Sequence, residues 1–360
     1  MTPPDDSVPP AGRVLFVPVS GPRGMGEYAR SLALATAVRA RRPQIDIHFV
    51  VSQAAPYAAD TPFPTTRLPR SPTFHTVEMV ELIQQLRPTL VVFDNAGRTA
   101  QLHAASKCGA RIIYISSRPR QRRKAFRLRW MRVLDEHWIA YPEFIAGGLG
   151  IAERLKLRLP HAPRVRFLDA VLPPADAALA AQMMSKFDVR PEGYVLVVPG
   201  GGTDHPGAED APHTVAQAAH RIAEAGHPTV LVGVPPPAQS TNLRPAPRMP
   251  MAQLAELIRG ARVVISNGGD TLLQVIACAR PCVAVPIAGD QPHRISQCER
   301  AGLAAGARLD AADIARTALS LLAEGPAREQ LLRRLKSSSV ANAMDTAVST
   351  IERLAARSAV

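Results

Sequence analysis

Short apolar runs alternate with helix-length stretches along this chain. Val14–Val19, Ile45–Val51, Leu90–Phe93, Ile112–Ile115 and Trp138–Ala140 read as strands, continuously apolar because both faces are covered. Tyr194–Val198, Thr229–Val232, Val263–Ile265 and Val283–Val285 form a second series. Between them, apolar residues recur at helical spacing in Tyr28–Arg39, Thr76–Leu86, Thr214–Ala225, Met251–Ile258 and Ile295–Ala301. Such alternation predicts parallel sheets flanked by helices. The expected class is α/β, with two doubly wound Rossmann-like domains facing a cleft.

The alternation breaks once, after Arg164–Leu168, at a helix-like piece flanked by Pro173-Pro174 and Pro191. This predicts a disordered lead over 1–12, a first domain over 13–172, a linker over 173–192, a second domain over 193–335 and a C-terminal helix over 336–360. Ala311–Arg357 reads as helical throughout. The lead, MTPPDDSVPPAG, lacks the basic and apolar blocks of a signal peptide. A length of 360 residues suits two domains.

Composition narrows the function classes. Hydrophobic residues are 46% and charged residues 20%, which is globular, and no apolar run approaches the roughly 18 residues of a membrane span. Cys108, Cys278, Cys282 and Cys298 show no metal or redox spacing, and read as reduced cytoplasmic thiols. The formal charge of +13 is concentrated in one short segment only. With no zinc-finger spacing and no aromatic RNA-binding motif, nucleic acid is not an expected partner.

Ligands of doubly wound sheets bind at the C-terminal ends of the strands. Three such ends carry chemistry. After the first strand come Gly21, Gly24 and Gly26, then Glu27, a carboxylate that could take a proton from a hydroxyl or simply favour the helix dipole. After the strand at 194–198 come Gly200, Gly201, Gly202 and Thr203, whose amides could form a nest for phosphate oxygens or a plain turn. After the strand at 263–265 come Ser266, Asn267, Gly268, Gly269, Asp270 and Thr271, then Gln274 one helical turn in. Asp290 and Gln291 follow the next strand, as readers of sugar hydroxyls or as a cap before Pro292. Asp94 ends the strand at 90–93 and is either a second base or a helix cap.

The stretch ISNGGDTLLQVIACARPCVAVPIAGDQPHRISQCERAGLA, residues 265–304, resembles the donor-binding segment of GT-B glycosyltransferases. It looks most like the bacterial N-acetylglucosaminyltransferase of peptidoglycan lipid assembly and the wider nucleotide-diphosphate-sugar transferase superfamily. The resemblance implies that Gly200, Gly201, Gly202, Gly268, Gly269 and Thr271 cradle a donor diphosphate, that of a UDP-sugar first, with position 274 at the ribose and Asp290 and Gln291 at the sugar. It implies a hydroxyl acceptor, lipid-linked in cell-surface polysaccharide or glycoconjugate synthesis. Two residues depart from the pattern: Gln274 stands where the family usually has glutamate, and Glu27 where it often has histidine. Those departures keep two alternatives open, a nucleotide-sugar hydrolase or epimerase, and a non-catalytic binding subunit. No aspartate-any-aspartate motif stands at a strand end, so neither a metal nor a cofactor is expected.

The basic segment SSRPRQRRKAFRLRWMRVLDEHW completes the expectations. From Lys124 on, helical spacing aligns Phe126, Trp130, Val133 and Leu134 on one stripe, with arginines mostly elsewhere. Arg122, Arg123, Phe126, Arg127 and Trp130 are therefore expected to contact an acceptor phosphate or the inner face of a membrane, against the simpler reading of a core helix with a solvated basic face.

Overall fold

The structure, a computed structural model, describes residues 12–22, 24–200 and 210–356. The expected class holds: two fully parallel sheets of seven and six strands, each flanked by helices. The chain forms two compact units, residues 1–168 with 344–360, and residues 169–343.

In the first unit, β1 (Gly12–Pro18), β2 (Ile45–Ser52), β3 (Thr65–Leu68), β4 (Leu90–Asp94), β5 (Arg111–Ser116), β6 (Glu136–Ala140) and β7 (Arg164–Leu168) lie in the order β3-β2-β1-β4-β5-β6-β7. In the second, β8 (Val195–Val198), β9 (Thr229–Val232), β10 (Leu243–Ala246), β11 (Val263–Asn267), β12 (Cys282–Val285) and β13 (Ala305–Gly306) lie in the order β10-β9-β8-β11-β12-β13. Each order reverses once, between β1 and β4 and between β8 and β11. The loops leaving these neighbours run to opposite faces of the sheet and open a crevice at the carboxyl edge. Both switch points therefore coincide with the polar and glycine-rich strand ends.

The domain boundaries differ from expectation. The division falls at 168/169, because helix Ala177–Lys186 packs on helix Met251–Gly260 of the second unit. Asp176 caps the first of these helices through the amides of Ala178 and Leu179, while its own N–H donates to Glu256. The C-terminal stretch is three helices, Ala311–Leu322, Pro326–Lys336 and Met344–Ala355. The last packs with helix Gly26–Arg41 and β1 of the first unit. Its Arg353 reaches the buried carboxylate of Glu136 at 3.1 Å, which also accepts from Arg166 at 2.9 Å and from the Trp138 indole at 3.0 Å. Three donors on one buried carboxylate offset its desolvation and fix the returning helix.

His137 sits fully buried on β6, its Nε2 2.9 Å from Ser116 Oγ and its Nδ1 without a partner among the described residues. Burial, reinforced by the Arg122 charge, pushes its pKa down from 6.5 to about 3. The unfolded chain then binds the extra proton first, so stability falls as pH drops below about 6.5 and the loss is complete near pH 3. Chemical denaturation across that window should show a contribution of about 1.4 kcal/mol per pH unit. His137→Gln should remove that contribution; an unchanged slope would refute the assignment.

Candidate active site

At the first switch point, Gly24 takes a left-handed backbone (φ 81°) that glycine adopts without strain, and helix Gly26–Arg41 begins two residues later. Chain neighbours aside, no atom of the described residues lies within 4 Å of where a Cβ would stand on Gly21 or Gly24. Glu27, on the first turn, is half-buried. Its Oε1 accepts a 2.9 Å hydrogen bond from Asn95 Nδ2. Asn95 in turn accepts from the Ser117 backbone N–H at 2.8 Å, so the ends of β1, β4 and β5 are tied by side chains. The Tyr57 phenol lies near Glu27; burial, with the Glu27 charge adding to it, pushes its pKa up and keeps it protonated.

Asp94 is not a base. Its side chain is fully buried, and Arg30 grips both oxygens, Nε to Oδ2 at 2.9 Å and Nη2 to Oδ1 at 2.8 Å. Arg30 was absent from the expected site. The visible signal was a lone charge in the otherwise small and apolar run Ala29–Ala37, on the helix that Glu27 opens.

At the second switch point, Gly200 has φ 135°, and a Cβ there would stand 2.5 Å from Asn267 Nδ2, so no other residue fits without displacement. Gly201, Gly202 and Thr203 lie outside the described residues. The turn after β11 differs from expectation in its hydrogen bonding. The Gly268 N–H donates to Gln291 Oε1 at 3.3 Å, and Gly269 N–H donates to Asn267 Oδ1 at 3.0 Å. Gln291 is buried and also accepts from Ile287 N–H at 2.8 Å. Its carbonyl thus braces two loops. Ser266 is buried too, with its hydroxyl on the Asn267 carbonyl at 3.1 Å. Asp290 is exposed and pairs with Arg294 at 3.1 Å. Arg294, also absent from the expected site, is buried and donates to the Gly268 carbonyl from behind the turn.

Helix Asp270–Ala277 starts directly after Gly269, with Thr271 half-buried on its first turn and its positive end at the sheet edge. Gln274 follows. It is 4% exposed, and its Nε2 donates to the Val171 carbonyl at 3.1 Å. That bond fixes the amide's orientation. Its Oε1 is buried and has no partner among the described residues. A buried carbonyl without a donor costs about 1–3 kcal/mol.

Other chemistries find little support. Burial pushes the thiol of Cys278 up to about 11 and those of Cys282 and Cys298 up to about 12, away from nucleophilic thiolates. Among the described residues, no three His, Cys, Asp or Glu side chains cluster as metal ligands. No helix of the described residues is long and apolar enough to cross a membrane.

The basic segment does not form the expected amphipathic helix. It breaks into Pro119–Ala125 and Leu128–Met131. Phe126 and Trp130 are buried, Trp130 edge-on to Tyr114 and Phe126 edge-on to His137. Arg122 pairs with Glu153 at 2.6 Å and donates to the carbonyls of Ala146, Gly147 and Gly148. These three residues therefore serve the packing of the first unit. Arg123 and Arg127 are exposed.

No protein-family model matches the chain, and no curated protein matches its sequence. Solved structures do. A UDP-glucosyltransferase from Polygonum tinctorium capable of glucosylating indoxyl, in complex with 3,4-dichloroaniline, aligns over 98% of this chain and 100% of its own, at TM-score 0.64 and 15% identity. The chain has the GT-B fold. The spinosyn forosaminyltransferase SpnP is similar over 96% of this chain and 100% of its own (TM-score 0.62, 15% identity). The calicheamicin glycosyltransferase CalG4 is similar over 97% and 99% (TM-score 0.60, 16% identity). At these identities the GT-B likeness is one of fold, and the chemistry rests on this chain's own residues.

Proposed function

We propose that this chain is an inverting glycosyltransferase that moves a sugar from a nucleotide-diphosphate sugar, a UDP-sugar first among them, to a hydroxyl acceptor without a metal. The observation that carries this reading is Gln274 Oε1. It is a buried acceptor left without a donor, one turn inside a helix whose start faces the edge of the second sheet at its switch point. A ribose hydroxyl would satisfy it once binding opened that atom to the ligand, while the helix start and the Gly200 amide would take the diphosphate charge. The fold neighbours agree in kind: they are glycosyltransferases, one of them a UDP-glucosyltransferase.

In the proposed step Glu27 removes the proton of the acceptor hydroxyl. The acceptor oxygen bonds to the anomeric carbon as that carbon's bond to the diphosphate oxygen breaks. The pair of electrons leaves with the diphosphate, whose charge the backbone donors stabilise in place of a cation. The expected phosphate or membrane contact through Arg122, Phe126 and Trp130 is not carried forward, because those side chains are engaged within the first unit.

A thermal-shift panel of nucleoside diphosphates tests the reading. UDP at a hundredfold excess over its dissociation constant should stabilise the protein by roughly 2.7 kcal/mol. Gln274→Glu should lower the melting temperature of the free protein, because a buried carboxylate then faces the Val171 carbonyl. It should also enlarge the rise caused by UDP, because charge-assisted bonds to ribose hydroxyls are about twice as strong as neutral ones. Stabilisation by none of the nucleotides would end the proposal.

A further inference from the structure

We infer that Asn95 is the positioning residue of the base, holding the Glu27 carboxylate by one oxygen and leaving the other to the acceptor proton. This rests on the reading of Glu27 as base and adds a residue to it.

The geometry leaves Asn95 no other orientation. It ends the β4 run in a left-handed conformation (φ 52°), which asparagine tolerates better than most residues. Its backbone N–H donates to the Ile115 carbonyl at 2.8 Å, which fixes the main chain against β5. Its Oδ1 accepts the Ser117 N–H at 2.8 Å. An amide oxygen must face that donor, so the amide cannot be flipped, and Nδ2 must face Glu27. One of its two hydrogens meets Glu27 Oε1 at 2.9 Å, and the other is directed at Ser117 Oγ. Both donors and the acceptor of the amide are thus engaged. Asn95 engages Glu27 through Oε1 alone.

The preceding residue strengthens the support. Asp94 is clamped by Arg30, one helical turn beyond Glu27, so the strand end and the helix start are held together beneath the Glu27–Asn95 contact. Charged and titratable groups near Glu27 among the described residues include the Arg30–Asp94 pair and the Tyr57 phenol, which stays protonated. A neutral amide is the side chain that orients a carboxylate here without adding a charge or a titrating proton of its own. Aspartate would repel Glu27, and histidine would titrate.

The test uses the full chain and needs no substrate. Protein carrying carbon-13 at the glutamate carboxyl is titrated by NMR, with Glu27→Gln assigning the Glu27 signal. Asn95→Gly keeps the left-handed backbone and removes the amide. Asn95→Asp keeps the shape and adds a like charge. The titration midpoint of the Glu27 signal should move up by a few tenths of a unit to about one unit in the glycine variant. It should move further in the aspartate variant, where two coupled steps belong to the pair. Circular dichroism confirms that each variant is folded. Should the glycine variant fail to fold, the aspartate variant alone decides. A Glu27 signal that titrates as in the parent protein in a folded variant overturns the inference. The function proposal would survive that result, since it falls with the nucleotide panel instead.

Discussion

Glu27→Gln is expected to lower kcat by about 10²–10⁴-fold, with UDP affinity and melting temperature close to those of the parent protein. Glutamine has the same shape, and Asn95 Nδ2 can donate to its carbonyl as it does to Glu27 Oε1. Only the ability to take a proton is removed. The loss corresponds to roughly 3–5 kcal/mol of barrier, the usual contribution of a positioned general base. Initial rates of nucleotide release from a donor sugar, at saturating donor and acceptor, provide the measurement. A glutamine variant with full kcat would remove Glu27 from the chemistry. A variant that loses stability in step with activity would make it a structural residue.

Asp94→Ala is expected to do the opposite, costing about 3–5 kcal/mol of folding stability. The substitution strips the Arg30 guanidinium, 6% exposed along its side chain, of the carboxylate that meets it through two hydrogen bonds. A buried charge that loses its carboxylate costs more than a missing surface ion pair. Replacing both partners, as in Arg30→Met with Asp94→Leu, should recover most of that loss. Urea denaturation of the two variants gives the comparison. A single alanine variant within 1 kcal/mol of the parent would contradict the buried-pair reading, and would reopen Asp94 as a group with another role. Together the two substitutions separate the carboxylates that a strand-end rule alone treats alike.

The strand ends were legible because a sheet covered on both faces records itself as unbroken apolar runs, and each run stops where the chain leaves the core. The glycine at 200 was legible for a related reason: small residues crowd where the backbone turns under neighbouring side chains, here that of Asn267. The basic segment misled because a stripe of Phe126 and Trp130 has the same spacing whether it faces lipid or core. The structure turns both rings inward against His137 and Tyr114.

The sequence by itself determined the alternating strands and helices, the two doubly wound units and the positions where their chemistry-bearing turns fall, since each follows from burial periodicity over a few residues. Only the tertiary structure decided which polar groups are engaged and which are left for a ligand. Arg30 reaches Asp94 across 64 residues, Asn95 reaches Glu27 across 68, and Gln274 reaches Val171 across 103. It also decided that the last helix belongs to the first unit. Such pairings depend on which strands become neighbours, and local periodicity carries no information about that.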